Sequence, residues 1–588
     1  MKNIKILAGV IVVLLTGSAS CKKADTSAST DTGITTTITP PPTTIVTGTD
    51  PAIAATQGFF LDNWQPKTFT LPSSTVSVTK PSSSGSVLIN VDLSQIVTKV
   101  SKLIFGNNTN PYMGQYVTDA VLMNNLTGLA PNILRAPGGS ISDVYFWNAD
   151  GSKAQKPADV PDSLMNLSGV KSPIGYWGGN NTQTYTITLD NYYKVLTQTN
   201  SAGLITVNYG YARYGTSTHP DQAAAHLAAN WVRYDKSRTQ YWEIGNENYG
   251  NWEAGYRIDI TKNKDGQPQI LTGTVYGTHF KVFADSMRAA AAQIGNTNIK
   301  IGIVLTGAND VGNNAGVSNW NADVLRAAGN SPDFFVVHNY YTPYAQNSSA
   351  SVILNTPQSV TSNMMTWVKN SAILAGVTQK PVALDEWNIQ ATGSGQNVSN
   401  IAGVDAVMTL GEILRNQFSM ASRWDLANGY GNGDDQGMFN IGDEPGGVAK
   451  WNARPAYYYM YFFQKYFGDR MVNSSINGSN DIISYGSSFS SGQAGVILVN
   501  QGSTSHTVTV TFSNFLAGTN YYYYVLNGGT DNAPFSRKVF VNSIGPTNNV
   551  AGGPDSYNTM PAYSATIAGG IIVSVPAYGA IFLAADKQ

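Results

Sequence analysis

The sequence predicts an α/β chain, a (β/α)8 TIM barrel with an accessory antiparallel β-sandwich. Three observations predict it. Between about 100 and 450, apolar runs of strand length alternate with segments of helical period. Past about 467 the helical period gives way to two-residue alternation, as in A-G-V-I-L-V-N and H-T-V-T-V-T-F. The chain, at 588 residues, is long enough for two or three domains.

The elements follow in order. Lys2 and Lys5 precede an apolar run from Ile6 to Leu15, too short to span a bilayer but of the length of a secretory leader core. T-G-S-A-S-C then sets small residues before Cys21, and the pattern of residues 1–21 resembles a bacterial lipoprotein signal. That resemblance implies lipidation at Cys21, export, and a membrane-anchored lipoprotein at the periplasmic or outer face of a bacterial cell. Ser, Thr and Pro dominate residues 22–50, which reads as a linker that cannot bury a core. Residues 51–98 hold short alternating stretches, Thr75–Thr79 and Ser86–Val91, expected to pair with the C-terminal sandwich.

Residues 99–455 supply eight strand candidates: Lys102–Asn107, Asn132–Arg135, Leu204–Tyr209, Tyr241–Glu247, Ile299–Leu305, Phe334–Asn339, Val382–Glu386 and Ala421–Leu426. Helical stretches separate several of them: Ala223–Tyr234, Gly277–Ile294, Val360–Leu374 and Val404–Gln417. Eight β-then-α units make a TIM barrel, whose active sites sit at the C-terminal ends of the strands. Arg454 to Phe467 reads as one aromatic helix, and 456–588 as the sandwich region.

Composition narrows the chemistry. Charged residues are only 12% and the net charge is -1, so no basic excess speaks for nucleic acid. Such a polar, nearly neutral surface suits an uncharged polymer. Cys21 is the sole cysteine, which rules out an internal disulfide. The five histidines form no H-E-x-x-H, no G-x-S-x-G is present, and no Gly-rich stretch ends in G-K-[ST]. The acidic loops Asn148–Asp150 and Asp434–Asp435 read as solvated turns. No metal and no cofactor is expected, and the oligomeric state is not legible.

What remains is a pair of carboxylates. Y-W-E-I-G-N-E-N-Y-G-N-W runs from Tyr241 to Trp252, and P-V-A-L-D-E-W-N from Pro381 to Asn388. Each is an apolar run ending in a carboxylate, Glu247 on the fourth strand and Glu386 on the seventh. Strand ends of one barrel converge on one rim, and two facing carboxylates are the machinery of glycoside hydrolysis. Asp385 competes with Glu386. Alternation along a strand sends neighbours to opposite faces, so one of the two should enter the pocket. Trp147, Trp252, Trp387 and Trp424 are candidate stacking platforms, Trp387 foremost because it follows Glu386.

W-E-I-G-N-E-N resembles the acid/base strand of clan A glycoside hydrolases, most closely family 51 and its α-L-arabinofuranosidases. The resemblance implies Glu247 as general acid/base, Asn246 as ligand of the sugar 2-hydroxyl and Glu386 as nucleophile. N-I-L-R-A-P-G-G-S resembles the family's second strand and implies Arg135 near the nucleophile. V-V-H-N-Y-Y resembles its sixth strand and implies that Tyr340 hydrogen-bonds the nucleophile while His338 lines the pocket. T-V-N-Y-G matches the third strand, and F-G-N-N-T-N the first more loosely. Where the family often carries a sugar-binding Glu on strand one, this chain offers Asn107 and Asn108, of which Asn107 is the candidate contact.

The expected reaction is retaining. Glu386 attacks the anomeric carbon and Glu247 protonates the leaving oxygen, then activates water. A raised pKa is expected for Glu247, with Arg135 and Tyr340 holding Glu386 ionised. The substrate is an oligo- or polysaccharide, with α-L-arabinofuranosides first. β-Xylosidase, β-glucuronidase or endoglucanase activity shares the mechanism, and a non-catalytic glycan-binding lipoprotein is the alternative from another class.

Overall fold

The computed structural model describes residues 45–588 apart from 115, 151–155, 309–318, 432, 434 and 530–533. The leader and Cys21 lie outside the described residues, as does Asp434. Among the described residues, no helix is long and apolar enough to cross a membrane.

Eight parallel strands close into a barrel. They are β1 (Gly106–Asn108), β2 (Ile133–Ala136), β3 (Ala202–Val207), β4 (Tyr241–Ile244), β5 (Lys300–Val304), β6 (Phe334–Tyr340), β7 (Val382–Asn388) and β8 (Met420–Arg423). Each pairs with its sequence neighbours, and β8 pairs with β1 to close the ring. Hydroxyl caps start the helices between them. Thr188, Thr272, Ser349 and Ser399 each accept a backbone N–H of the first turn, a contact worth about 1 kcal/mol apiece.

The barrel interior is layered by the two-residue period. Ile133, Leu204, Tyr241, Phe334, Val336, Ala383 and Met420 fill the N-terminal end together with Phe60. Two residues further along four of these strands, on the same face, stand Arg135, Thr206, Glu243 and His338. An apolar floor therefore carries a polar layer directly beneath the C-terminal rim. Phe59 and Phe60 plug the floor from outside, their rings packed on Tyr241 and Phe334 at 5.5–6.4 Å.

The second region is an eleven-stranded sheet. Its C-terminal strands pair antiparallel with one another. The sheet as a whole is mixed, because the two N-terminal strands each lie parallel to one neighbour. Val87–Lys99 inserts between Arg470–Asn477, antiparallel, and His506–Ser513, parallel, and Thr75–Ser77 pairs parallel with Ala562–Thr566. No hairpin ties these N-terminal strands to their neighbours, so their direction is free. Ala494–Asn500 is buried on both faces. Val496 and Leu498 join the sandwich core with Leu583, while Ile497 and Val499 face the layer that holds helix Pro455–Tyr466. The end of the linker is docked, with Asp50 paired to Arg470 (2.5 Å) and Lys99 (3.3 Å).

Candidate active site

Arg135 on β2 organises the polar layer. Its Nε and Nη2 donate to Glu243 (2.8 and 3.2 Å), Nη1 to Asn108 Oδ1 (2.9 Å) and Glu386 Oε2 (3.0 Å), and Nη2 also to Asn246 Oδ1 (2.8 Å). Arg135 and Glu243 are fully shielded from solvent. Burying such ions costs several kcal/mol each unless every donor and acceptor is matched. The fork is matched, and Thr206 Oγ1 adds a donor to Glu243 at 2.7 Å. Burial pushes Glu243 up, but the charges and hydrogen bonds of Arg135 and His338 together outweigh that and hold its carboxyl at about 2.

Glu386 stands above this layer on β7. Tyr340 Oη donates to its Oε1 at 2.6 Å, opposite the Arg135 contact. Asp385 also turns inward, to 3.6 Å from Arg135 Nε and 3.2 Å from His338 Nε2. This corrects the expectation that only one of the two would. Val337 pairs with Leu384 and His338 with Glu386, so β7 carries an extra residue, and the register with β8 slips over the same stretch. A bulge cancels the alternation, so consecutive side chains share a face.

Glu247 does not close β4. The strand ends at Ile244, and Glu247 sits three residues on, in a turn where its own φ is +42° and that of Gly245 is +76°. Gly245 is required there, since a Cβ would stand 2.0 Å from Asn248 Oδ1. Asp143 pins the turn to the end of β3. It accepts from the backbone of Tyr209 (3.1 Å), Gly210 (2.9 Å) and Asn246 (3.4 Å) and from Asn248 Nδ2 (2.7 Å). Burial pushes the Asp143 carboxyl up to about 7. The Glu247 carboxylate then receives Trp252 Nε1 (3.0 Å) and Tyr249 Oη (3.2 Å), and its Oε1 lies 3.0 Å from His338 Nδ1.

His338 thus stands between the two carboxylates, its Nδ1 also 3.7 Å from Glu386 Oε2. Burial lowers its pKa, but Glu386, Asp385, Glu243 and Glu247 together hold it well above the usual imidazole range. The resulting electrostatics reverse the expectation for the pair. Burial raises Glu247, but the hydrogen bond and charge of His338 prevail and hold it below its ordinary value. Burial raises Glu386, the Glu247 charge adds to it, and the net shift is upward despite His338 and Arg135.

Other residues fall as follows. Asn246 spans Arg135 and Glu253, donating to Glu253 Oε1 at 3.1 Å. Asn107 does not join the site. Its buried side chain finds no hydrogen-bond partner, and Asn108 meets Arg135 instead. Choosing Asn107 placed the strand one residue out of phase. Trp387 is 1% exposed within the apolar core and offers no platform. Trp252 is 45% exposed and touches Glu247. Trp147 stacks on Trp231, and the Trp424 ring lies over Gly138 and Gly139, where a Cβ on Gly139 would meet it at 2.4 Å. Sequence reasoning missed Glu243, Asp143 and Glu253. A charged residue inside the apolar run Y-W-E-I was the available signal for Glu243, since unpaired Glu is almost never fully buried.

Glu247, His338 and Glu386 each bring one ligand atom within 4.8 Å of the others, as do Glu243, His338 and Asp385. Arg135 and His338 already supply the countercharge to these oxygens, so the cluster reads as an ion-pair network.

No protein-family model and no curated protein matches the sequence. Solved structures do. An α-L-arabinofuranosidase from Thermotoga maritima matches with a TM-score of 0.57 at 18% identity, over 85% of this chain and 99% of its own. A family 51 α-L-arabinofuranosidase from Bifidobacterium longum matches with a TM-score of 0.59 at 14% identity, over 86% and 100%. A family 44 xyloglucanase from Paenibacillus polymyxa matches with 0.53 at 12%, over 85% and 99%. Over most of its length the chain therefore carries the barrel-and-sheet fold of the family 51 α-L-arabinofuranosidases, the family its strand-end motifs resemble.

Proposed function

We propose that the protein is a retaining glycoside hydrolase, with Glu247 as general acid/base and Glu386 as nucleophile. One observation carries the reading. Glu247 and Glu386 bring carboxylate oxygens within 4.8 Å of each other. A double-displacement pair stands roughly 5–5.5 Å apart, whereas an inverting pair leaves roughly 6.5–9.5 Å for a water. Glu386, steered by Arg135 and Tyr340, attacks the anomeric carbon. Glu247 protonates the leaving oxygen, and in the second step takes a proton from the attacking water. Glu247 is held below its ordinary value by the hydrogen bond and charge of His338, so substrate binding must raise it for the acid step. The 3.0 Å contact from His338 Nδ1 to Glu247 Oε1 couples the protonation of the two groups.

The substrate we infer is an α-L-arabinofuranoside on a polysaccharide, a reading supported by the family 51 fold likeness and by the strand motifs. A second reading, endo action on a polymer backbone, is favoured by Trp252 and Tyr344. These aromatics on the β4 and β6 loops are 45% and 79% exposed, and the family 44 xyloglucanase shares the fold. We further propose that the leader exports the chain and that lipid on Cys21 anchors it. Metabolic palmitate labelling that disappears in Cys21→Ser would support the anchor, and label retained by the variant would refute it.

The test of the catalytic reading is hydrolysis of an aryl-glycoside panel followed by proton NMR of the first-formed anomer. Cleavage of the arabinofuranoside with retained configuration supports the proposal, and initial inversion sinks the double displacement. Cleavage only of polysaccharide shifts the reading to endo action. Binding without any cleavage leaves a glycan-binding protein.

A further inference from the structure

Among the loops that follow the barrel strands lies a cavity of about 270 Å³. Three connections build it, those after β2, β3 and β4, so it opens on the same C-terminal face as Glu247. The loop that begins with Glu247 reaches it about eight residues later, at Gly255 and Arg257.

The lining is basic in a chain with a net charge of -1. It holds Arg213, Arg257, Lys171 and Lys262 against Asp162 and Asp259. Lys171 is paired with Asp259 and Asp162 with Lys156. The other three cations have no carboxylate partner among the described residues. Arg213 is fully buried, a state Arg reaches almost only when paired. It is held by the carbonyls of Gly255 (3.1 Å), Pro268 (2.9 Å) and Gln269 (3.4 Å) and by Gln267 Oε1 (2.5 Å). Those contacts leave one Nη1 hydrogen without an acceptor. The carboxylate nearest in influence, Asp265, accepts from Asn263 and Gln267. Arg257 donates to Leu167 O and Gln269 Oε1, and its buried Nε has no partner. The cavity thus combines a buried guanidinium held by neutral acceptors, a second guanidinium with an idle donor and, among the described residues, an exposed ammonium without a carboxylate partner.

We propose that this cavity binds the carboxylate of an acidic sugar residue, a uronate carried by the substrate glycan next to the bond that is cleaved. The inference rests on the glycosidase reading for its placement beside a scissile bond. Guanidinium forks match carboxylates in geometry as well as charge. The volume falls just below the roughly 300–1,000 Å³ of drug-sized pockets, which suits one sugar residue and not a chain.

Titration calorimetry of the full chain with glucuronate, glucose and inorganic sulfate tests it, at low and at high salt. Glucuronate alone should bind, with affinity falling as salt rises. The double variant Arg257→Gln, Lys262→Gln should weaken it about tenfold or more, with its melting temperature checking that the fold is intact. Arg213 is left in place because it staples the loop. Glucuronate affinity unchanged in the variant would overturn the proposal by moving the ligand elsewhere. Sulfate binding as tightly as glucuronate would overturn the sugar, leaving a bare anion site. Failure of the aryl-glycoside assay with glucuronate still bound would instead remove the glycosidase reading and spare the cavity.

Discussion

The two carboxylates reach one rim by opposite backbone devices. Glu386 stays on its strand, and the extra residue of β7 turns it inward beside Asp385. Glu247 leaves its strand and hangs on a turn in left-handed conformation, a strained state for a residue with a side chain. The surroundings differ in the same sense. Glu386 is gripped by a guanidinium and a phenol rooted in β2 and β6, whereas Glu247 is gripped by an indole and a phenol of its own loop and by His338. A nucleophile needs a fixed line of attack, and a sheet supplies it. An acid/base must serve two steps on differently placed oxygens, and in the proposed mechanism the turn, pinned by Asp143, sets where Glu247 stands for both.

Breaking this contrast should give graded effects. In the proposed mechanism Glu386→Ala removes the bond-forming atom, and kcat on any substrate should fall by at least about 10⁴-fold in steady-state assays. Glu247→Ala should cost about 10²–10⁴-fold on substrates with poor leaving groups. It should cost far less on dinitrophenyl glycosides, with azide restoring turnover as a glycosyl azide. Equal losses on both leaving groups would contradict its role.

Smaller effects should follow from loosening the turn alone. Asp143→Ala removes the carboxylate that ties Asn246 and Asn248 to β3, and Gly245→Ala inserts a Cβ against Asn248 and Tyr209. Each should lower kcat by roughly 10–100-fold, the loss expected when a catalytic group is misplaced by about 1 Å. Covalent trapping of Glu386 by a fluorinated sugar, read by mass spectrometry, should survive both.

The mildest prediction concerns a buried carboxyl that has neither kind of grip. Asp405, on the helix Asn400–Arg415 after β7, is buried with one oxygen unpartnered, and burial pushes it up to about 8 against the pull of Arg423. Between the ordinary 3.8 and about 8 the folded chain holds a proton that the unfolded chain has lost. Its contribution is therefore fully present below 3.8 and declines as pH rises through 8. Asp405→Asn should flatten the fall of melting temperature between pH 5 and 9 by calorimetry, and an unchanged slope would discount the burial argument.

The contrast also explains what the sequence made legible. Seven of the strands were readable, because apolar runs between helical segments are signals of composition and period, whereas the candidate for the polar β1, Gly106–Asn108, overlapped it only at its end. The strand ends were not. Lys102–Ile104 is a helical turn ahead of a three-residue β1, and β4 stops at Ile244, before the motif that follows its apolar run. Side-chain facing was legible only where alternation is unbroken. One inserted residue in β7 put Asp385 and Glu386 on the same side and hid Trp387, and one residue of phase in β1 exchanged Asn107 for Asn108. Period-two patterns carry no mark of a bulge, so the errors cluster at the rim, where bulges re-aim side chains.

The insertion of Val87–Lys99 between Arg470–Asn477 and His506–Ser513 has a consequence in time. That strand leaves the ribosome before the barrel, yet its partners follow roughly 370 residues later. At about 5–20 residues per second, an unpaired apolar strand must wait on the order of 20–70 s. During that interval the nascent chain cannot seal its second core, and Val87, Ile89 and Val91 stay open to whatever binds an unfinished sheet edge.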